Sequence, residues 1–207
     1  MKHNHLAIQA ERLKKKNAPH LALPALVFMT DHSRINDPCP IIPTLPKHTL
    51  IIIRDDAHPD RLTYATAIAE ACRQHDHPFL VSNDTRLAID LMADGIHLAE
   101  SQAGESISIR THYPQWWITS SAHSLDAVHK ANALPVDALF ISPVFTTESH
   151  PDVTPLGMNG FSELAMHSIS PVYALGGITH SNCSALMHSV ASGFGCIGAF
   201  KLSPGTP

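Results

Sequence analysis

The feature that most constrains this chain is a rhythm of eight short apolar runs. They are 25–31, 50–55, 79–83, 95–100, 117–123, 138–145, 172–178 and 195–200. Each is nearly continuous in Val, Ile, Leu or Phe rather than alternating, as in strands buried on both faces of a parallel sheet. Helical patterns lie between several of them: 59–75, 84–93 opened by Asn83-Asp84, 124–133 opened by Ser124, 161–168, and 179–191 opened by Thr179. Strands alternating with helices imply βαβ units. Eight such units predict one (β/α)8 TIM barrel, an α/β fold, over 1–207.

Two units depart from that ideal. After the first strand, 33–46 carries Pro38, Pro40, Pro43 and Pro46, which forbid a long helix. After Phe200 seven residues follow, Pro204, Gly205 and Pro207 among them, so the eighth helix is expected to be missing. The helical stretch 5–16 precedes the first strand and is expected to cover the barrel where an outer helix is lacking.

Composition excludes several functions. The formal net charge of −4 gives no basic face for nucleic acid. No apolar stretch reaches the ~18 residues of a membrane span, and no signal core precedes a cleavage site. These absences predict a cytoplasmic protein. Cys39, Cys72, Cys183 and Cys196 are far apart and are read as free thiols, with Cys72 and Cys196 buried. Sixteen scattered histidines show no zinc-ligand spacing.

In such a barrel the reactive residues sit at the C-terminal ends of the strands. The ends of strands seven and eight carry Gly176-Gly177 and Gly198-Ala199. Glycines let a ligand approach the backbone N–H groups closely, and a helix starting at Thr179 would add a positive dipole end. That pattern predicts a phosphate seat. A Gly-Gly pair at a tight strand-to-helix turn has the same spelling, and only its place in strand order favours phosphate. His97, mid-strand, is read as a satisfied core histidine, and Asp94 as closing the turn before strand four.

Four segments then occur in order. Asn83-Asp84 followed by Ala93-Asp94-Gly95-Ile96-His97-Leu98 resembles the N-D…A-D-G-V-H-L segment of thiamine phosphate synthases. Ser121-Ala122-His123-Ser124 resembles the S-x-H-S turn of that family and of TenI. The stretch from Ser142 to His150 resembles G-P-[IV]-F-P-T-x-T-K, and Ala174-Leu175-Gly176-Gly177-Ile178 resembles A-[IL]-G-G-I. The chain is thus similar to the thiamine phosphate synthase/TenI family, as a degenerate member.

The resemblance implies an enzyme of thiamine biosynthesis that joins hydroxymethylpyrimidine diphosphate to thiazole phosphate. It adds Thr147 and Ser149 to the phosphate-binding set. It makes Arg54, Asn83, Ser121 and His150 substrate-binding residues, and Asp84 a ligand for Mg2+. The departures weaken the diphosphate side. Ile52 and Asp56 replace a family Gln and Lys, Gln102 stands where a second metal carboxylate belongs, and His150 replaces another Lys. Reversing one charge at about 4 Å in a partly screened site costs several kcal/mol, so coupling is expected to be weakened. Two alternatives stay open. One is a TenI-like tautomerase in which His123 moves protons and Mg2+ is not required. The other is a catalytically silent phosphate-binding barrel. Whether the chain forms a homo-oligomer is open as well.

Overall fold

The computed structural model describes residues 3–149 and 152–201. Eight parallel strands close into a barrel in chain order. They are β1 (Leu26–Met29), β2 (Leu50–Ile53), β3 (Phe79–Ser82), β4 (Gly95–Leu98), β5 (Trp117–Ala122), β6 (Ala138–Ile141), β7 (Val172–Ala174) and β8 (Gly193–Cys196). Closure is through β1, which pairs Val27 with Leu50 on one side and Leu26 with Phe194 on the other. The continuous apolar runs have their expected cause. Leu50, Ile51, Ile52 and Ile53 are all wholly buried, and so are Leu80, Val81, Leu139 and Ile141.

Inside the barrel the Phe140 and Tyr173 rings stack at 5.0 Å, and His97 meets Phe140 edge-on at 5.1 Å. The Tyr173 hydroxyl donates to the Pro24 carbonyl at 2.8 Å, so its buried oxygen is satisfied. Asp94 closes the turn before β4 as expected: its carboxylate accepts the Phe79 N–H at 2.8 Å and its carbonyl the Trp117 N–H at 3.0 Å.

The outer layer holds α1 (Asn4–Asn17), α2 (Arg61–Gln74), α3 (Thr85–Asp90), α4 (Ser106–His112), α5 (Leu125–Ala131) and α6 (Gly157–Met166). Helices α3 and α5 start at the expected caps, Asp84 and Ser124, which accept the N–H groups of Leu87 and Ala127, and α2 starts at a cap the sequence did not single out, Asp60, which accepts the Thr63 N–H. Helix α1 buries Leu6, Ala10 and Leu13 against the β8–β1 side. It is tied there by Asn17, whose amide donates to the Ala191 carbonyl at 2.6 Å, and by Lys14, which donates to the Leu23 carbonyl at 2.8 Å. The proline-rich segment after β1 holds only one 3-10 turn, Ile42–Thr44.

Three details differ from expectation. Helix α4 was not foreseen; its seven residues are too short for a clear apolar period. The expected helix 179–191 is reduced to a 3-10 segment, Cys183–His188. Here side chains compete with the helical ladder: Asn182 accepts the Thr179 N–H at 2.8 Å, and the Thr179 and Ser181 hydroxyls meet at 2.9 Å. Strand β8 begins earlier than read, and Gly198 lies beyond it in a 3-10 turn, Gly198–Phe200. Among the described residues no α-helix follows β8. The four cysteines are free thiols, Cys72 and Cys196 buried. No helix among the described residues is long and apolar enough to cross a membrane.

Candidate active site

A cavity of about 560 Å³ opens at the C-terminal rim of the strands. Nine of the residues expected from sequence line it: Arg54, Ser121, His123, Thr147, Ser149, Gly176, Gly177, Gly198 and Ala199. They come from five separate strand ends, so only closure of the barrel brings them together.

The seat after β7 is a turn that glycine alone suits. Gly176 and Gly177 have φ of +94° and +66°. A Cβ on Gly176 would lie 2.7 Å from Pro143 Cα, and one on Gly177 would collide with the Thr146 carbonyl oxygen. The loop after β6 docks against this turn. Val144 N–H donates to the Leu175 carbonyl at 2.9 Å and Phe145 N–H to that of Gly176 at 3.0 Å. The Asn182 amide braces the turn from behind, donating to the Gly177 carbonyl at 2.9 Å. Among the described residues, the N–H groups of Gly177, Gly198 and Ala199 have no acceptor. They are available to an anion in the cavity. No helix starts at Thr179, so an anion at this turn would meet turn N–H groups and not a helix dipole.

Arg34, from the loop after β1, was not foreseen. Its guanidinium packs on Gly198, where a Cβ would collide with Nη2. Nη2 donates to Glu148 Oε2 at 3.0 Å, and Nη1 lies 3.5 Å from Ser149 Oγ. Asp31 organises the same rim. It accepts from Arg54 Nη2 at 2.7 Å and from Ser149 Oγ at 3.0 Å. Burial would raise the Asp31 pKa, but the Ser33 hydroxyl and the Arg54 guanidinium outweigh it and hold the carboxyl below its ordinary value. Arg54 is thus held by Asp31 across the mouth.

Next to the seat, His123 Nδ1 lies 2.9 Å from Glu100 Oε2, and the same oxygen accepts the His123 N–H at 2.9 Å. In the neutral ring, an Nδ1–H donated to this carboxylate leaves the lone pair on Nε2. His97 is different. Burial, followed by the charges of Arg54 and His123, drives its pKa down to about 3. Its ring nitrogens are satisfied by Thr119 Oγ1 at 2.9 Å and Ser121 Oγ at 3.1 Å. It is a neutral core histidine that orients Ser121.

The other half of the rim is closed upon itself. Arg61 donates to Asp56 Oδ1 at 2.8 Å and to Asp84 Oδ2 at 3.2 Å. Asp84 Oδ1 meanwhile caps α3 by accepting the Leu87 N–H at 2.9 Å. Asn83 donates to Asp56 Oδ2 at 2.6 Å and accepts the Ala99 N–H at 2.7 Å. Asn83 and Asp84 do not line the cavity. Gln102 turns to Glu105 at 3.4 Å. This donor set does not fit Mg2+, which wants carboxylate oxygens free to approach it. Asp84 has both oxygens engaged, and Gln102 offers only an amide. His150 lies outside the described residues.

The thiamine monophosphate synthase (TMP-TENI) family matches residues 44–200. A thiamine-phosphate synthase of Chlamydia caviae is 34% identical over 146 residues, 70% of this chain and 68% of that protein. A thiamine-phosphate synthase of Bacillus cereus is 31% identical over 146 residues, 70% of this chain and 66% of that protein. The match thus spans about two thirds of each relative. In fold, the chain resembles thiamine phosphate pyrophosphorylase from Pyrococcus furiosus, with a TM-score of 0.66 at 22% identity over 84% of this chain and 85% of the other. It also resembles KGPDC from Streptococcus mutans, with a TM-score of 0.58 at 12% identity over 84% and 87% of the two chains.

Proposed function

Because this chain belongs to the thiamine monophosphate synthase family, we propose that it binds a thiazole phosphate in its mouth cavity and couples it weakly to hydroxymethylpyrimidine diphosphate. One observation carries this reading. The acceptor-free N–H groups of Gly177, Gly198 and Ala199 share a cavity with the Thr147 hydroxyl, and with that of Ser149, which can donate to a phosphate once it releases Asp31. Such donors suit a phosphate. With the phosphate seated there, the thiazole ring extends toward Ser121 and His123.

In the coupling, the bond from the pyrimidine methylene carbon to the diphosphate oxygen breaks, and pyrophosphate leaves with the electron pair. The thiazole nitrogen gives its lone pair to the resulting cation, forming thiamine phosphate. This chain's part is to hold the nitrogen in line and to exclude water. Stabilising the leaving group is where it is weak. Asp56 and Asp84 already neutralise Arg61, the cation of that half. Two measurements test the reading: calorimetric titration with thiazole phosphate, and thiamine phosphate formation from both substrates with magnesium supplied. No binding of thiazole phosphate at millimolar concentration would overturn it.

A second reading, a thiazole tautomerase, is favoured by the Glu100–His123 pair. There His123 Nε2 takes a proton from one position of the bound ring system and returns it to another, with Glu100 fixing the tautomer. No metal is needed. Isomerisation without coupling would select this reading. Binding with neither activity would select a silent barrel.

A further inference from the structure

Arg34 belongs to none of the motifs read from the sequence, yet it lies against the phosphate seat. Its side chain is only 15% exposed. Its Nε is buried with no hydrogen-bond partner. Its Nη2 sits where a Gly198 side chain would be, beside the acceptor-free N–H groups of Gly198 and Ala199. Its direct ion-pair partner is Glu148, on the loop after β6, with a side chain 73% exposed, while the buried Asp31 also feels its charge. The same Glu148 oxygen lies 3.9 Å from Lys201 Nζ, and Lys201 also lines the cavity. One exposed carboxylate therefore faces both Arg34 and Lys201.

We propose that Arg34 is a phosphate-binding residue and that Glu148 is its resident competing anion, displaced when a phosphate monoester enters. The inference rests on the reading that the cavity takes a phosphate. A guanidinium presents two parallel donors to a phosphate, which an exposed carboxylate on a loop cannot match in charge. Glu148 is exposed, so its pair with Arg34 is weak and readily given up. The buried Arg34 stem stays in place while its partner changes.

The test uses inorganic phosphate, titrated by calorimetry into the full chain at fixed pH and salt. Arg34→Gln should weaken phosphate binding about tenfold or more, the loss expected for one charge-assisted contact. Glu148→Gln should tighten it about threefold. In the Arg34→Gln background the Glu148→Gln gain should shrink, because the two residues share one ligand. Arg34→Lys should restore part of the affinity, and unfolding midpoints read in parallel identify any variant that has lost its fold. Arg34→Gln binding within twofold of wild type, or a Glu148→Gln gain undiminished without Arg34, overturns the proposal. If wild type binds no phosphate at all, the functional reading fails instead. Binding abolished by Gly177→Asp but indifferent to Arg34 leaves that reading standing and removes only this inference.

Discussion

One oxygen of Glu100 accepts both the backbone N–H and the Nδ1–H of His123, each at 2.9 Å. The ring is thereby held in one orientation and one tautomer, with Nε2 the nitrogen left for chemistry. If this histidine moves protons on a bound thiazole, His123→Gln should lower the isomerisation rate by about 10²–10⁴, the usual range for a positioned acid–base group. Glu100→Gln should lower it by about tenfold, because a neutral amide fixes the tautomer less firmly and stabilises imidazolium less. Both variants should change kcat more than thiazole phosphate affinity. Equal losses in kcat and in affinity would reduce the pair to a structural brace.

The turn after β7 leads to a stability prediction. Gly177 has a left-handed φ, and its missing Cβ leaves room for the Thr146 carbonyl. Gly177→Ala must move that backbone, so it should destabilise the fold by about 2–4 kcal/mol, combining left-handed strain with overpacking. Gly157 is the control. It too has a positive φ, +64°, but nothing lies within 4 Å of its Cβ position. Gly157→Ala should then cost only the backbone term, about 1–2 kcal/mol. Urea unfolding of the two variants checks the order, and equal costs would contradict it.

Acid should weaken this fold before the carboxylates titrate. His97 has a folded pKa of about 3 against an ordinary 6.5. Between those values the unfolded chain binds more protons than the folded one, so stability rises with pH and is lost as pH falls below about 6.5. From pH 7 to pH 5 this one residue should remove about 2 kcal/mol. His77, also lowered by burial, acts in the same direction. The His97→Gln variant should show a flatter acid limb in urea unfolding. An unchanged slope would mean that the ring is not neutral in the folded chain.

The strands were legible because burial on both faces leaves a continuous apolar run, as at Leu50–Ile53. The seat glycines were legible because strand order fixes which loops face the cavity. Arg34 and Arg61 were not. Arg34 meets Gly198 from 164 positions away, out of a proline-rich loop with no periodicity. Arg61 opens α2 like any exposed basic residue, and only the barrel brings Asp56 and Asp84 to either side of it. The expected helix at Thr179 failed for a local reason. Asn182, inside the expected helix, instead uses its side chain to take the N–H and carbonyl groups that shape the turn.

Coupling should be slow, and Asp56 should be the cause. A diphosphate gains charge as its bond to the pyrimidine breaks, so it needs cations in place beforehand. Arg61 is the cation on that side, but it faces Asp56 at 2.8 Å and Asp84 at 3.2 Å, and Asp56 stands where family members carry Lys. Losing one such positioned cation costs about 10²-fold or more in rate, so thiamine phosphate formation should fall at least that far below a full-pattern synthase. Asp56→Asn is the informative change. The amide oxygen can still accept from Asn83, so the loop is kept, while one negative charge beside Arg61 is removed. The rate should rise several-fold. Arg61→Gln should lower it, and in that background Asp56→Asn should bring little gain, because both act on the same charge. Asp56→Lys puts an ammonium directly against Arg61, and the repulsion should make its gain smaller than adding one cation would suggest. The measurement is initial thiamine phosphate formation for these variants with magnesium supplied at one ionic strength. A wild-type rate equal to that of a full-pattern synthase, or an Asp56→Asn gain undiminished without Arg61, would show that the leaving group is stabilised elsewhere on the rim.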